Sequence, residues 1–338
     1  MIRYPFLPAH STIGVTAPSS GVRTEFHYLL QQASTRLEQA GYTVQIGKTA
    51  WQQEKAKSAP ADERARELME MMEDDTIHLI IPPFGGELLI EVLDKLDFSR
   101  INPKWVLGYS DLSLLLMAMT LQTGIATAHG TNFIDLRGQI WDETTAMWEQ
   151  ALSTEVGSAI VQSSSSHFQT EWKHDISATS VFHLTEPTEW KSISPQPIHV
   201  AGRVLGGCID IIRHLMGTPY GDVATFQRVH LHDEPLLWYF ENCELSSTDL
   251  RRSLVQMKLA GWFEKCSGIL FGRSNVQSTL QEYTEIDVYH ELADELGVPI
   301  IYDIDCGHQP PQVTFINGAY AEVEVNEGRG RLTQYFRP

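Results

Sequence analysis

A serine stands where an apolar, strand-like run gives way to a helix-forming run. Residues 106–111 read VLGYSD, and the helix-forming sequence LSLLLMAMTLQ begins at Leu112. A serine at such a turn can present its hydroxyl above the edge of a sheet, while the first N–H groups of the helix can stabilise an oxyanion. Ser110 is therefore a candidate nucleophile. The G-x-S-x-G pattern of a nucleophile elbow is incomplete, because Leu112 replaces its second glycine, and the alternative is that Ser110 and Asp111 cap the helix.

A nucleophilic serine needs a base, and position singles out His308 among the thirteen histidines. His308 follows the apolar run Ile300–Ile304, and open α/β sheets bind their ligands at the carboxyl ends of strands. Glu241 ends the apolar run LLWYF and is a candidate to orient the imidazole. The alternatives are a histidine in a surface loop and a solvated charge at a strand end.

A glycine pair follows another apolar run. Residues 80–87 read IIPPFGGE, so Gly85 and Gly86 lie between a predicted strand and a predicted helix. Such a loop can bring backbone N–H groups close to a substrate oxygen, as an oxyanion hole requires. The alternative is an ordinary tight turn, and the G-x-G-x-x-G spacing of a dinucleotide site is absent from this loop.

Two other chemistries compete with a serine nucleophile. A cysteine hydrolase could use Cys306 or Cys243, although neither stands in the electropositive or helix-N-terminal setting that a thiolate needs. A zinc site is the other option, because histidine and carboxylate both bind zinc. Two sets of residues have suitable spacing: His230, His232 and Asp233, or Asp303, Asp305 and His308.

The first 130 residues alternate short, β-branched apolar runs with helix-period segments, which predicts a parallel sheet covered by helices. The predicted strands are Thr12–Pro18, Thr43–Lys48, Ile77–Pro82, Trp105–Tyr109 and Ile125–His129. The predicted helices are Thr24–Ala40, Asp62–Glu73, Glu87–Leu96 and Leu112–Gln122. Gly41 and Gly124 stand at two of the helix ends, as C-terminal glycines often do.

The periodicity fades after about residue 135 and returns near residue 199. The predicted elements there are strand His199–Leu205, a turn at Gly206-Gly207, a helix to Met216, strand Leu236–Glu241, helix Asp249–Glu264, strand Gly268–Gly272, helix Ile286–Leu296, strand Ile300–Ile304 and a β-rich tail through Val325. We therefore predict an N-terminal α/β domain over residues 1–135 and a C-terminal α/β domain with added β elements over 198–338. Between them, residues 136–197 are predicted to form a linker with a tryptophan-containing excursion.

The composition excludes several classes of protein. The 338 residues include 25 Lys+Arg and 43 Asp+Glu, a formal net charge of −18, which repels nucleic-acid phosphates. Neither a signal sequence nor an 18-residue apolar run is found, so we expect a cytoplasmic protein without a membrane partner. The four cysteines form no C-x-x-C pair and are expected to be free thiols.

Seven collinear stretches span nearly the whole chain: Thr12–Ser20, Ser58–Met72, Phe84–Glu87, Gly108–Asp111, Ala201–Asp222, Phe240–Glu241 and Asp303–His308. Together they resemble the serine LD-carboxypeptidase family, and particularly its microcin C immunity branch. The resemblance implies a flavodoxin-like N-terminal domain with a parallel sheet, a C-terminal α/β domain and an active site in the cleft between them.

The same resemblance implies a role for each candidate residue. Ser110 would be the nucleophile, His308 the general base and Glu241 its orienter. The Asp111 N–H and the loop of Gly85 and Gly86 would form the oxyanion hole. The resemblance also implies that no metal or organic cofactor takes part and that the protein is a homodimer.

The resemblance leaves the substrate open. LD-carboxypeptidases release D-alanine from murein tetrapeptide, whereas the microcin branch cuts an acyl link between an amino acid and a modified nucleotide. The segment with Trp172 and Trp190 resembles the microcin branch, whose tryptophans in this region stack on the nucleobase; the alternative is that both rings anchor an irregular segment. Microcin-cleaving members tend to carry a lysine just after the acid, but this chain has none there. A non-catalytic small-molecule binding protein with the same cleft is a further alternative.

Overall fold

Two β-sheets organise the chain in a computed structural model, which describes residues 1–172, 179–194, 196–232, 234–276 and 282–337. The strands are β1 (Thr12–Val15), β2 (Thr43–Ile46), β3 (Ile77–Ile80), β4 (Trp105–Gly108), β5 (Thr127–His129), β6 (Ala159–Ser163), β7 (His167–Phe168), β8 (Glu186–Pro187), β9 (Lys191–Ser192), β10 (Ile198–Cys208), β11 (Leu236–Glu241), β12 (Cys266–Gly272), β13 (Ile300–Ile304), β14 (Phe315–Asn317), β15 (Tyr320–Asn326) and β16 (Arg329–Tyr335). The α-helices are α1 (His27–Gln39), α2 (Ala61–Glu73), α3 (Ser113–Thr123), α4 (Glu143–Leu152), α5 (Ile209–Ile212), α6 (Val223–His230), α7 (Ser247–Leu259) and α8 (Glu285–Leu296).

The first sheet has the strand order β14-β5-β4-β3-β1-β2. Strands β1 to β5 run parallel, as the alternation of apolar runs and helical segments predicts, and β14 joins β5 in the antiparallel direction. Helix α3 is buried from Ser113 to Leu121 because it packs both against this sheet and against β10 of the second sheet. A helix that is apolar all round is typical of such a buried position.

The second sheet has the order β6-β16-β15-β10-β11-β12-β13-β9. Strands β10 to β13 are parallel, and the antiparallel strands are added on both sides of them. Strand β11 is buried along its whole length, which agrees with its continuous apolar sequence. The chain thus has the predicted mixed α/β fold with added β elements.

Some local predictions were wrong. The helix predicted over Glu87–Leu96 is a shorter 3-10 helix over Leu89–Lys95. No turn interrupts β10 at Gly206 and Gly207. A Cβ on Gly206 would lie 1.8 Å from the Tyr239 carbonyl oxygen, so this glycine permits close approach of two strands rather than a turn.

The region predicted as linker and excursion contains regular structure. Helix α4 and strand β6 both fall within residues 136–197, and β6 pairs with β16 at the edge of the second sheet. Strand β6 alternates exposed and buried residues, but its five residues are too short to stand out from the polar sequence around them. Among the described residues, no helix has the length and apolar character that crossing a bilayer requires.

Candidate active site

Ser110 lies at a strained turn between β4 and the helical segment Ser110–Leu112 that leads into α3. Its φ is +65°, in the left-handed region, which costs a residue with a Cβ about 1–3 kcal/mol. Leu112 stands where the G-x-S-x-G pattern has its second glycine. Its side chain packs against Gly108, since a Cβ on Gly108 would lie 2.4 Å from Leu112 Cδ2. The sharp turn therefore forms without the complete glycine pattern.

A row of hydrogen bonds joins Ser110, His308 and Glu241, and we call it the Ser110–His308–Glu241 row. Ser110 Oγ lies 3.1 Å from His308 Nε2, and His308 Nδ1 lies 2.7 Å from Glu241 Oε2. The backbone N–H of His308 donates to the same carboxylate oxygen at 3.2 Å. The Glu241 side chain is fully buried, whereas the His308 side chain is 30% exposed. The row thus runs from a buried carboxylate to a hydroxyl that solvent and ligands can reach.

His308 and Glu241 stabilise each other's charged forms. Burial lowers the pKa of His308, but the Glu241 carboxylate and the nearby Cys243 thiol outweigh burial and raise that pKa well above 6.5. Burial raises the pKa of Glu241, but the charge and hydrogen bond of His308 outweigh it and hold that pKa below 4.5. Two further titratable groups, His129 and Asp135, lie close enough to interact electrostatically with His308.

Two of the three predicted oxyanion residues, Gly85 and Asp111, lie directly against Ser110. A Cβ on Gly85 would lie 2.5 Å from Ser110 Cβ and 3.1 Å from the Asp111 nitrogen, so all three backbone positions are close together. The Asp111 N–H belongs to the first helical turn, where backbone N–H groups have no intrahelical partner. The carboxylate of Asp111 accepts a hydrogen bond from Ser19 Oγ. Gly86 has a φ of +140°, and a Cβ there would lie 2.3 Å from the same Ser19 oxygen.

The two predicted tryptophans occupy different surroundings. Trp172 Nε1 donates to the backbone carbonyl of His308 at 3.2 Å, and its ring lies edge-on to Phe182 with centroids 5.6 Å apart. Trp190 is only 1% exposed, and its Nε1 donates to Asp305 Oδ2 at 2.8 Å. Trp190 is therefore an anchor in the core rather than a stacking surface, whereas Trp172 lies beside the base.

The structure adds two aromatic neighbours that the sequence analysis did not single out. The ring of Tyr109 lies 5.1 Å from that of His308 in an edge-on arrangement. His129, at the end of β5, is fully buried, and burial lowers its pKa to about 4. Tyr109 precedes the serine and could have been suspected from that position, but nothing in the sequence around His129 points to the site.

The two cysteine alternatives are less suited to nucleophilic attack than Ser110. Cys306 is fully buried, and burial raises the pKa of its thiol well above 9.0, so it is neither accessible nor ionised. Cys243 is half-buried and its thiol interacts with the His308 side chain, so proximity to the base does not separate it from Ser110. Ser110 is favoured because its Oγ lies 3.1 Å from His308 Nε2 and because it stands at the start of the helical segment that leads into α3, whereas Cys243 does not begin a helix.

The metal alternative of Asp303, Asp305 and His308 is not assembled either. Asp305 is held by buried donors, His308 belongs to the hydrogen-bonded row, and Asp303 pairs with Lys191 at 2.9 Å. Asp233 of the other set lies outside the described residues. Within the described ranges, no group of three or more His, Cys, Asp or Glu side chains is arranged to hold a metal ion.

The order of the three bonded groups is typical of a class of enzyme. In serine hydrolases a hydroxyl, an imidazole and a buried carboxylate are linked in this sequence, and on α/β scaffolds the serine stands at a strained strand-to-helix turn. The fold and the site therefore place the chain among the serine hydrolases.

Comparison with known families narrows that class. The model of the LD-carboxypeptidase N-terminal domain matches residues 13–130, and that of the LD-carboxypeptidase C-terminal domain matches residues 201–323. The chain belongs to the LD-carboxypeptidase family and is a serine carboxypeptidase-type hydrolase.

Individual relatives cover almost the whole chain. A putative carboxypeptidase of Vibrio cholerae is 27% identical over 95% of this chain and 94% of its own length. A probable murein peptide carboxypeptidase of Bacillus subtilis is 25% identical over 94% of this chain and 89% of its own. A solved structure of MccF in complex with glutamyl sulfamoyl guanosine has a TM-score of 0.84 at 18% identity and covers 100% of both chains, which shows the same fold.

Proposed function

We propose that Ser110, His308 and Glu241 form a catalytic triad that hydrolyses an amide or acyl bond. The observation that carries the proposal is the row of hydrogen bonds, 3.1 Å from Ser110 Oγ to His308 Nε2 and 2.7 Å from His308 Nδ1 to Glu241 Oε2. His308 Nε2 accepts the proton of Ser110 as the serine oxygen attacks the carbonyl carbon. Glu241 holds the Nδ1–H and stabilises the imidazolium that forms.

The remaining steps follow acyl-transfer chemistry. Backbone N–H groups of Asp111 and of the Gly85–Gly86 loop bind the oxyanion of the tetrahedral intermediate. His308 then donates its proton to the leaving nitrogen, and the bond from the carbonyl carbon to that nitrogen breaks. A water molecule, deprotonated by His308, attacks the acyl-enzyme and releases Ser110 for the next cycle.

As substrate we propose an aminoacyl-nucleotide of the microcin C type. Trp172 supports this choice, because its indole bonds to the backbone of His308 and thus lies beside the reacting centre. An aromatic ring at that position can stack on a nucleobase, which contributes about 1–3 kcal/mol per base in single-strand binders. The likeness in fold to MccF, solved with an aminoacyl sulfamoyl nucleoside, also favours this substrate.

A second candidate substrate is murein tetrapeptide, from which D-alanine would be released. The observation that favours it is that no lysine stands just after Glu241, where microcin-cleaving members of the family tend to carry one. Glu244 lies three residues after Glu241, and Glu87 lies near Glu244: burial, then the charge of Glu244, raises the pKa of Glu87. Acids at these positions repel a nucleotide phosphate. The similarity to a probable murein peptide carboxypeptidase supports the same alternative.

Parallel assays of both substrates test the proposal. The wild type, Ser110→Ala and the control Ser153→Ala are incubated with an aminoacyl sulfamoyl adenosine carrying an acidic amino acid, and separately with murein tetrapeptide. We expect Ser110→Ala to lower kcat by about 10⁴- to 10⁶-fold. The Ser153 side chain bonds to the Leu7 carbonyl, and the preceding Leu152 carbonyl accepts a hydrogen bond from Trp105 at the start of β4, the end opposite Ser110. The Ser153→Ala variant should therefore hydrolyse at the wild-type rate.

The outcome assigns both the nucleophile and the substrate. Release of the amino acid from the first substrate alone supports the microcin-type function, and D-alanine release alone moves the protein to murein peptides. Hydrolysis that survives in Ser110→Ala would contradict the nucleophile. The homodimer implied by the family resemblance stays a prediction, which light scattering during gel filtration would check.

A further inference from the structure

The loop that carries His308 lacks regular secondary structure. It runs from the end of β13 to the start of β14, residues 305–314, so no strand or helix ladder fixes the backbone of His308. One backbone hydrogen bond closes its base, from the Val313 N–H to the Asp305 carbonyl at 2.9 Å. A second backbone bond, from the Gln169 N–H to the Pro310 carbonyl at 3.0 Å, reaches the loop after the histidine. Side chains that bond to the loop must supply the rest of what positions the imidazole.

Arg273 is the side chain that bonds to this loop on both sides of His308. It follows β12 and is 5% exposed. Its Nη1 donates to Asp305 Oδ1 at 2.8 Å, before the histidine, and its Nη2 donates to the carbonyls of Gln309 at 3.0 Å and Pro311 at 3.2 Å, after it. One planar group thus connects both ends of the histidine loop.

The acidic partner of Arg273 is held from the opposite direction. Asp305 is fully buried and accepts hydrogen bonds from the backbone N–H of Ser165 at 2.8 Å, from Ser165 Oγ at 2.6 Å and from Trp190 Nε1 at 2.8 Å. The guanidinium carbon of Arg273 lies 4.5 Å from the ring centroid of Phe168. The segment around Ser165 and Trp190 therefore braces the same ion pair that bonds to the loop.

We propose that Arg273 is a positioning residue that holds His308 in hydrogen-bond reach of Ser110 and Glu241. The proposal rests on the proposed catalytic role of His308. Arg273 acts through the backbone of the loop, since its donors reach Asp305, Gln309 and Pro311 and not the imidazole.

The role requires a guanidinium group. Three acceptors at different places around Arg273 need donors in a fixed planar fork, which arginine has and lysine lacks. Arg273→Lys keeps the charge that balances buried Asp305, but it cannot bond to both sides of the loop at once. A shift of the reacting groups by about 1 Å costs on the order of 10²-fold in rate.

Kinetics of Arg273→Lys is the first part of the test. We expect kcat to fall by about 10- to 100-fold while KM stays within about twofold, because the lysine loosens the base and not the substrate site. Arg203→Lys is the matched control: Arg203 is also buried, pairs with Glu234 and donates to two carbonyls, but it lies at the opposite end of β11 from Glu241. This control should keep the wild-type kcat. Wild-type kcat in folded Arg273→Lys would overturn the proposal.

The second part measures His308 without turnover. The ring protons of His308 are titrated by NMR in histidine-labelled wild type and Arg273→Lys, with His308→Asn to assign the signal. We expect the pKa of His308 to fall toward 6.5 in Arg273→Lys, since a displaced imidazole loses its contact with Glu241. An unchanged titration in the folded variant, or a loss of kcat that only follows a loss of folded protein, would contradict a positioning role.

If Arg273→Lys is not recovered in folded form, the same NMR titration is done on Asp305→Asn. We expect this variant to shift the pKa of His308 in the same direction. No shift in that variant would overturn the proposal. Because the titration needs no substrate, it separates this proposal from the proposed function: hydrolysis that survives in Ser110→Ala refutes the triad, whereas an unshifted His308 refutes the role of Arg273.

Discussion

The two sides of the site are held in place by different means. On the side of the nucleophile, Ser110 is positioned by a tight turn between β4 and α3, with Gly85 packed directly on it. On the side of the base, His308 lies in the irregular loop that follows β13. Arg273 holds this loop, and so does the carboxylate of Glu241, which ends β11, two strands from β13 in the second sheet. Local backbone geometry fixes the first side, and contacts between distant residues fix the second.

This difference decides which substitutions the site tolerates. A turn built from glycine contacts fails when a small group is added, because backbone atoms cannot yield. A loop held by hydrogen bonds and charges fails when a partner is removed, because a buried charge then stays unpaired. The nucleophile side should therefore be sensitive to added volume, and the base side to lost partners.

Among the substitutions that compare the two sides, the largest effect is expected from Glu241→Gln, which removes the charged partner of His308 and keeps its shape. Replacing the buried carboxylate of a triad by an amide costs about 10⁴-fold in kcat, since the amide favours the wrong tautomer of the histidine. We expect a loss of this order in steady-state assays. A Glu241→Gln variant with kcat within tenfold of the wild type would show that the carboxylate is not the orienter.

The next effect is expected from Gly85→Ala on the opposite side. The new Cβ would lie 2.5 Å from Ser110 Cβ and 2.7 Å from its Oγ, so the serine must move. Displacing the hydroxyl and the oxyanion N–H groups together should lower kcat by about 10²- to 10³-fold. Unlike Glu241→Gln, this variant should keep the wild-type pH dependence, because the His308–Glu241 pair is not touched. The pH profile of kcat/KM checks this distinction.

The same contrast decides what could be predicted from sequence. Strands β1 to β5 and the positions of Ser110, Gly85 and Gly86 followed from local patterns, because a parallel strand and the turn after it are contiguous in the chain. Their positions after apolar runs made His308 and Glu241 candidates, but only the family resemblance implied that both act with Ser110, since nothing local brings them to a serine some 130 residues or more before them.

Contacts between distant residues account for what was missed. Strand β14 crosses to the first sheet and pairs with β5 although it follows the strands of the second. Arg273 was not singled out because an arginine after an apolar strand is usually solvated; only the fold shows its bonds to Asp305 and to the histidine loop. Trp190 was treated like Trp172, because a sequence does not show which of two tryptophans is buried.

The pH dependence of activity tests the base side more finely. The pKa of His308 is raised above 6.5, chiefly by the Glu241 charge acting against burial, so the protonated and inactive form persists to higher pH than in a free histidine. We expect kcat/KM to fall about tenfold per pH unit below a midpoint that lies above 6.5. Glu241→Gln should move that midpoint down. Asp135, whose pKa burial raises to about 6, is the competing group, and Asp135→Asn should leave the midpoint above 6.5.

A smaller effect, on stability, is expected from Trp190→Phe. The indole N–H is one of the donors to buried Asp305, and phenylalanine fills most of the volume without replacing it. Loss of a donor to a buried charged group costs about 1–3 kcal/mol in the free energy of unfolding. Urea denaturation measures this loss. An unchanged free energy of unfolding would mean that the Ser165 donors suffice for Asp305.

The smallest effect is expected from Trp172→Phe, and it distinguishes the two functions of that ring. The variant loses the hydrogen bond from Nε1 to the His308 carbonyl but keeps an aromatic face, so KM for an aminoacyl sulfamoyl nucleoside should change by no more than about twofold. Trp172→Ala also removes the face, and loss of about 1–3 kcal/mol of stacking would raise KM by about 5- to 150-fold. Equal KM values for Trp172→Phe and Trp172→Ala would mean that the aromatic face does not bind the nucleobase. Trp172 would then act, like Arg273, only by holding the loop that carries His308.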